Sequence, residues 1–160
     1  MNRERIPAST AIGAVHLTVS DLARASEFYI SRLGMRPLSR DGSTARLGAG
    51  ARTLLVLTGD PAARRVHGTT GLFHFAVLVP SRAHLGRALA QLVSTHTALE
   101  GVADHGVSEA LYLHDPDSNG VELYWDRPEA EWPRTADGQL AMHTKPLGLD
   151  SLLAEAQAGA

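Results

Sequence analysis

The 160-residue sequence contains no cysteine. This absence excludes disulfide bonds, thiolate nucleophiles and metal sites with cysteine ligands, so a metal in this chain must take nitrogen and oxygen ligands. An excess of charge of either sign is also missing, because 15 basic and 17 acidic residues are interspersed and give a net charge of −2. The sequence therefore predicts no broad charged surface for nucleic acid or for an anionic membrane.

Long apolar runs are absent as well. No stretch approaches the length that a membrane span needs, and residues 1–14 lack the apolar segment of a signal peptide. We therefore expect a cytoplasmic protein with neither nucleic acid nor membrane as a partner. With 44% hydrophobic residues, the chain can form one domain with a substantial core.

An internal repeat organises the sequence. The segment GAVHLTV at residues 13–19 recurs as GLFHFAV at residues 71–77, with the glycine, the histidine and the final valine in register. The first copy alternates in polarity as a half-buried strand does, and each copy precedes a helical pattern that opens at a Ser or Asp. Three short β-like runs follow in each half. The repeat predicts an α+β fold in which two βαβββ modules form a curved mixed sheet around a trough.

The same patterns suggest boundaries along the chain. Residues 1–10 are expected to be a flexible leader, and residues 11–133 a single domain with modules at about 11–60 and 70–133. Residues 134–160 are expected to be a C-terminal arm with a short amphipathic piece at 147–153. We expect this arm to cover a sheet edge or to contact a partner subunit.

Three polar residues are candidate metal ligands. His16 and His74 occupy equivalent places in the repeated strands, and Glu122 lies on the polar face of the last predicted strand. Taken singly, each has an ordinary explanation as a half-buried histidine or a solvated carboxylate. Taken together, they can converge in the trough between two curled sheets. Two imidazoles and one carboxylate form the facial triad that binds non-haem Fe(II), and Mn²⁺, Zn²⁺ or Ni²⁺ could occupy the same donors.

The segment HGVSEALYLHDPDSNGVE, at residues 105–122, resembles the signature of type I extradiol ring-cleaving dioxygenases. These enzymes belong to the vicinal oxygen chelate superfamily, which also includes glyoxalases and bleomycin resistance proteins. The resemblance covers residues 11–133 and is strongest to the N-terminal half of catechol-2,3-dioxygenase-like proteins. It implies that His16, His74 and Glu122 are the iron ligands and that His105 and Tyr112 hydrogen-bond the bound substrate oxygens.

The activity implied by this resemblance is Fe(II)-dependent ring cleavage of a catechol-like diol with O₂, a reaction of aromatic catabolism. Two alternatives stay open: a non-redox lyase or isomerase of the glyoxalase type, and an antibiotic-binding resistance protein that needs no metal. The retained ligand types disfavour the second alternative. Residues 52–57 lack both the acid–base histidine of the dioxygenases and the extra carboxylate of the glyoxalases, and only His67 in the connector could replace the histidine.

The resemblance also bears on assembly. Longer relatives of this kind carry a second, similar half that covers sheet edges and apolar surface. Exposed edges are usually paired or covered, so we expect a two-fold homodimer to which residues 147–153 contribute.

Overall fold

The computed structural model describes residues 6–7, 9–64 and 70–158, and the candidate proton carrier His67 lies outside them. The elements follow one another as the repeat predicts. They are, in chain order, β1 (Val15–Val19), α1 (Leu22–Ser31), β2 (Arg36–Asp41), β3 (Thr44–Ala49), β4 (Arg52–Gly59), β5 (His74–Leu78), α2 (Arg82–Ser94), β6 (Gly101–Asp104), β7 (Ser108–His114), β8 (Gly120–Asp126), a short 3₁₀ helix (Glu129–Glu131) and α3 (Leu149–Ala158).

Each module forms one four-stranded mixed sheet. The strand orders are β1-β4-β3-β2 and β5-β8-β7-β6. In both sheets the first strand of the module pairs in parallel with the last, and the remaining neighbours are antiparallel. The predicted α+β fold of two βαβββ modules is therefore confirmed, with the strands divided between two hydrogen-bonded sheets.

Side-chain caps set where the first two helices begin. The Asp21 carboxylate accepts hydrogen bonds from the amides of Ala23 and Arg24, and the Ser81 hydroxyl accepts one from the amide of His84. These bonds satisfy donors that have no partner within the first helical turn. Both caps lie at helix starts that the sequence predicts.

The period-two pattern of β1 matches its burial. In β1, Leu17 and Val19 are buried whereas His16 and Thr18 are exposed. Apolar faces of both sheets pack against the helices in a core that crosses the two modules. This alternation leaves the opposite, polar face of each sheet for the candidate site.

A buried contact joins the two modules. The Tyr29 hydroxyl on α1 donates to Asp115 Oδ2 at 2.8 Å, and both residues are almost fully buried. Asp115 also accepts bonds from the amides of Asp117 and Asn119 and from the Asn119 side chain. Burial, followed by the Asp115 charge, raises the pKa of Tyr29, so this phenol stays a donor. The turn between β7 and β8 is thus tied to the first module.

The C-terminal helix α3 packs on α2 of the same chain. A Cβ at Gly86 of α2 would lie 2.3 Å from the Leu152 carbonyl oxygen, so the two backbones are in close contact. Leu152 is fully buried, and Arg82 donates to the Ser151 hydroxyl at 2.7 Å. The predicted amphipathic piece therefore covers a helix of its own chain. Among the helices described, none has the length and apolar content to cross a membrane.

Candidate metal and substrate site

Two neighbouring strands place His74 and Glu122 side by side. β5 pairs in parallel with β8, with His74 opposite Gly120 and Ala76 opposite Glu122. His74 Nε2 lies 2.9 Å from Glu122 Oε2, and both side chains are partly exposed. Two donors each about 2.1 Å from one ion and at right angles to each other are roughly 3.0 Å apart. The pair therefore has the spacing of adjacent ligands on a single metal ion.

Tyr112 orients the Glu122 carboxylate from the neighbouring strand. The two residues are directly opposite each other in the antiparallel pairing of β7 with β8, and the Tyr112 hydroxyl donates to Glu122 Oε1 at 3.1 Å. Burial, followed by the Glu122 charge and this hydrogen bond, raises the pKa of Tyr112 to about 12. The phenol is therefore protonated at neutral pH and leaves Glu122 Oε2 facing His74.

His105 extends this arrangement into the loop between β6 and β7. Its Nε2 lies 3.0 Å from the Tyr112 hydroxyl oxygen, and its Nδ1 lies 3.3 Å from the Thr144 hydroxyl. The structure thus brings four of the five predicted site residues into one chain of polar contacts. The chain, in order, is His105, Tyr112, Glu122 and His74.

His16 does not join this chain. It is exposed on β1, in the sheet of the first module, and makes no hydrogen bond or ion pair in the described part of the chain. Across residues 6–7, 9–64 and 70–158, no three His, Cys, Asp or Glu side chains are grouped closely enough to hold a metal. The positions of the other two candidate ligands are set by strand pairing within one sheet, whereas the position of His16 relative to them depends on how the two modules pack. Its role as third ligand stays a prediction.

Strand register shows which residue of the first module corresponds to Glu122. In the second module, Ala76 lies two residues beyond His74 and pairs with Glu122. In the first module, Thr18 lies two residues beyond His16 and pairs with Thr58. Thr58 is therefore the equivalent of Glu122. Thr58 carries no carboxylate, which agrees with the missing fourth ligand noted in the sequence. No histidine lies on β4 either. The acid–base histidine that the dioxygenases carry on the corresponding strand is therefore absent from β4.

A buried ionic network supports the loop that carries His105. Glu109 is 3% exposed and accepts hydrogen bonds from Arg82 Nε at 2.8 Å and from Arg127 Nη2 at 2.7 Å. Arg127 Nη2 also donates to Asp104 Oδ2 at 3.0 Å, and the Gly106 amide donates to Asp104 Oδ1 at 2.8 Å. The residues on either side of His105 are therefore held in place.

This network was not predicted from the sequence. One signal could have found it: Glu109 is an acidic residue within the strand SEALYLH, whose other members are mostly apolar or small. A buried carboxylate needs a basic partner. The Asp104 carboxyl is partly buried, which favours its neutral form, but the Gly106 amide and the Arg127 charge outweigh burial and lower its pKa.

Comparison with known proteins agrees with this architecture. The family model described as Glyoxalase/Bleomycin resistance protein/Dioxygenase superfamily matches residues 11–123. Catechol-2,3-dioxygenase of Bacillus subtilis is 44% identical over 150 residues, which are 92% of this chain and 52% of that protein. The chain therefore spans about half the length of this curated relative.

Solved structures share the fold at low sequence identity. A glyoxalase/dioxygenase from Nostoc punctiforme superposes with a TM-score of 0.65 and 19% identity, covering 80% of this chain and 99% of that chain. Lactoylglutathione lyase from Agrobacterium tumefaciens gives 0.57 and 23%, covering 76% and 96%. The match of the family model over most of the sequence decides the assignment. The chain belongs to the glyoxalase/bleomycin resistance protein/dioxygenase superfamily.

Proposed function

We propose that this chain is a metal-dependent extradiol dioxygenase that cleaves a small catechol-like diol with O₂. The observation that carries the proposal is the polar chain from His105 through Tyr112 and Glu122 to His74, because it connects a metal-ligand pair to two proton-carrying groups. The 44% identity to a catechol-2,3-dioxygenase over 92% of the chain supports the same reaction class.

The proposed metal ligands are His16, His74 and Glu122. The donor set fits Fe(II), and its nitrogen and oxygen atoms also suit Mn²⁺, Zn²⁺ or Ni²⁺. When bound, Fe(II) would supply the Lewis acidity for the diol and the redox chemistry for O₂. His74 and Glu122 are already spaced as adjacent ligands, and Tyr112 holds the second carboxylate oxygen away from His74. A hydrogen bond of this kind fixes the orientation of a ligand and tunes its basicity.

His105 and Tyr112 are the proposed catalytic residues. Tyr112 remains protonated in the working pH range, and His105 contacts its oxygen through Nε2. Donors fixed before the substrate arrives stabilise developing negative charge on substrate oxygens without having to reorganise. His105 Nε2 is also placed to transfer a proton as a general acid or base during the reaction.

We further propose that residues 11–133 act as the functional domain, with residues 134–160 as its arm.

We also propose that the protein assembles as a homodimer. Large apolar side chains exposed at and just before β5 support a partner surface: Leu72 is 55%, Phe73 87% and Leu78 54% exposed. Sedimentation at micromolar concentration should then show a species of about twice 17.0 kDa. A single 17.0 kDa species would contradict the dimer.

The reaction itself is tested with protein prepared without air and loaded with Fe(II). The sample is supplied with ¹⁸O₂ and a panel of simple catechols, and mass spectrometry of the product is the measurement. Incorporation of both oxygen atoms into a ring-opened product, cleaved beside the diol, is expected. Tight catechol binding without oxygen consumption, or turnover of a non-aromatic substrate without O₂, would overturn the proposal.

A further inference from the structure

The C-terminal arm is paired with the loop that carries His105. Asp104 and Lys145 exchange two backbone hydrogen bonds, each 2.9 Å long, in an isolated antiparallel bridge. The His143 amide also donates to the His105 carbonyl oxygen at 3.2 Å. In antiparallel pairing the next residues along the two segments are opposite each other. Thr144, next to Lys145, lies beside His105, with its hydroxyl oxygen 3.3 Å from His105 Nδ1.

Gly106 shows how closely the arm and the loop approach. Its φ is +77°, and a Cβ there would lie 2.8 Å from His143 Cε1 and 3.0 Å from Pro133 Cγ. A side chain at this position would strain the backbone and collide with the arm. The family model matches only residues 11–123, so the arm that faces His105 lies beyond the matched part.

The hydrogen-bond pattern determines which nitrogen of His105 carries the proton. The Tyr112 hydroxyl has a single proton, which it donates to Glu122 Oε1, and a carboxylate can only accept. At the 3.0 Å contact with the Tyr112 oxygen, His105 Nε2 must then be the donor. A neutral imidazole protonated at Nε2 is an acceptor at Nδ1. The Thr144 hydroxyl, 3.3 Å from Nδ1, is consequently the donor in that contact.

We infer that Thr144 is a positioning residue that holds His105 in the tautomer protonated at Nε2, so that this proton faces Tyr112. The catalytic meaning of this inference rests on the proposed dioxygenase function. A hydroxyl both donates and accepts, so the contact also survives when Nδ1 gains a proton and donates to Thr144 Oγ1. His105 can therefore take up or release a proton while its ring keeps the same orientation.

The inference is tested by the ¹⁵N chemical shifts of the His105 ring in metal-free protein, which distinguish a protonated from an unprotonated nitrogen. Thr144→Val keeps the shape of the side chain and removes the hydroxyl, whereas Thr144→Ser keeps the hydroxyl. Thr144 is exposed, so neither change removes core packing. Thr135→Val is the matched control, because the Thr135 hydroxyl in the same arm bonds the local turn at Asp137 and Gln139.

The wild type, Thr144→Ser and Thr135→Val should show a proton on Nε2 and a bare Nδ1. Thr144→Val should shift toward a mixture of the two tautomers, by roughly three- to tenfold in their ratio, which corresponds to one lost hydrogen bond. Identical ring shifts in the wild type and in Thr144→Val would overturn the inference.

Steady-state kinetics give a second readout. In the Fe(II)-loaded protein, Thr144→Val should lower kcat by roughly three- to tenfold with little change in KM, and Thr144→Ser should restore it. An unchanged kcat in Thr144→Val would also count against a positioning role. If the wild type turns over no catechol, the proposed function fails, yet the ¹⁵N measurement still decides the role of Thr144.

Discussion

Tyr112 is the residue on which the polar chain depends most. It is bonded to Glu122 on one side and to His105 on the other, so it couples the candidate ligand pair to the candidate proton carrier. Tyr112→Phe removes only the hydroxyl. We expect kcat to fall by roughly 10²–10³, the loss seen when a single stabilising donor is removed from an active site.

The control for this prediction is the metal content. Tyr112 orients Glu122 but is not a proposed ligand, so Tyr112→Phe should still bind one equivalent of Fe(II) at saturating metal, with a lower affinity than the wild type. A variant with full metal and a kcat within a factor of about two of the wild type would show that the hydroxyl has no part in the reaction.

A second prediction at the residue scale concerns Asp104 and the pH dependence of the free energy of unfolding. The pKa of Asp104 is below the usual value of 3.8, with the Gly106 amide and Arg127 outweighing burial. A carboxyl whose pKa is depressed by folding stabilises the protein above its unfolded pKa, and this contribution disappears as the pH falls through the folded pKa. Asp104→Asn should therefore lower the free energy of unfolding at pH 7 and have a smaller effect near pH 3.

Urea unfolding of the wild type and of Asp104→Asn at the two pH values is the measurement. Asn keeps an oxygen that can accept from the Gly106 amide, so the comparison isolates the charge facing Arg127. An equal loss of stability at both pH values would mean that the charge contributes nothing.

At the scale of elements, the sequence predicts what local patterns determine. The helix caps at Asp21 and Ser81 and the alternating faces of β1 and β8 follow from neighbouring residues, and the structure agrees. Strand limits are less certain, because the run predicted at residues 71–77 forms a strand only from His74 to Leu78. Pairing with β8 decides where this strand begins and ends.

Contacts between distant segments could not be predicted in the same way. The pairing of Lys145 with Asp104 and the burial of Glu109 between two arginines depend on tertiary packing that no local period encodes. The same reason explains why only part of the candidate site could be predicted from the sequence. Tyr112 and Glu122 lie within the signature, and both are on the same sheet as His74, whereas His16 belongs to the other sheet.

The contact between α2 and α3 gives a prediction about an element. Glycine is about 1 kcal/mol less favourable than alanine inside a helix, so Gly86→Ala would stabilise an isolated α2. In this protein the new Cβ would lie 2.3 Å from the Leu152 carbonyl oxygen and would push α3 away. We expect the clash to dominate and to destabilise the fold by roughly 1–3 kcal/mol.

Thermal unfolding of Gly86→Ala checks this expectation. A matched control is Ala90→Gly at an exposed position of the same helix, which costs helix propensity without adding an atom. Gly86→Ala should lower Tm although it improves helix propensity. A higher Tm would show that α3 does not pack against α2 as described.

At the scale of the whole molecule, the proposed metal centre requires both modules. His74 and Glu122 lie in the sheet of the second module, and the proposed third ligand, His16, lies in the sheet of the first. The buried bond between Tyr29 and Asp115 holds the modules together. A metal centre that needs ligands from both modules would link their relative placement to metal binding.

The most direct test is an anaerobic Fe(II) titration of the wild type and of His16→Ala, His74→Ala and His114→Ala. His114 is the control, because it lies on β7 outside the polar chain and its side chain pairs with the exposed Glu100, at 3.4 Å. The wild type and His114→Ala should bind one equivalent of Fe(II), and the other two variants should lose stoichiometric binding, because two protein ligands seldom hold a divalent ion tightly. A full equivalent of Fe(II) bound with unchanged affinity by His16→Ala or His74→Ala would contradict the proposed metal centre.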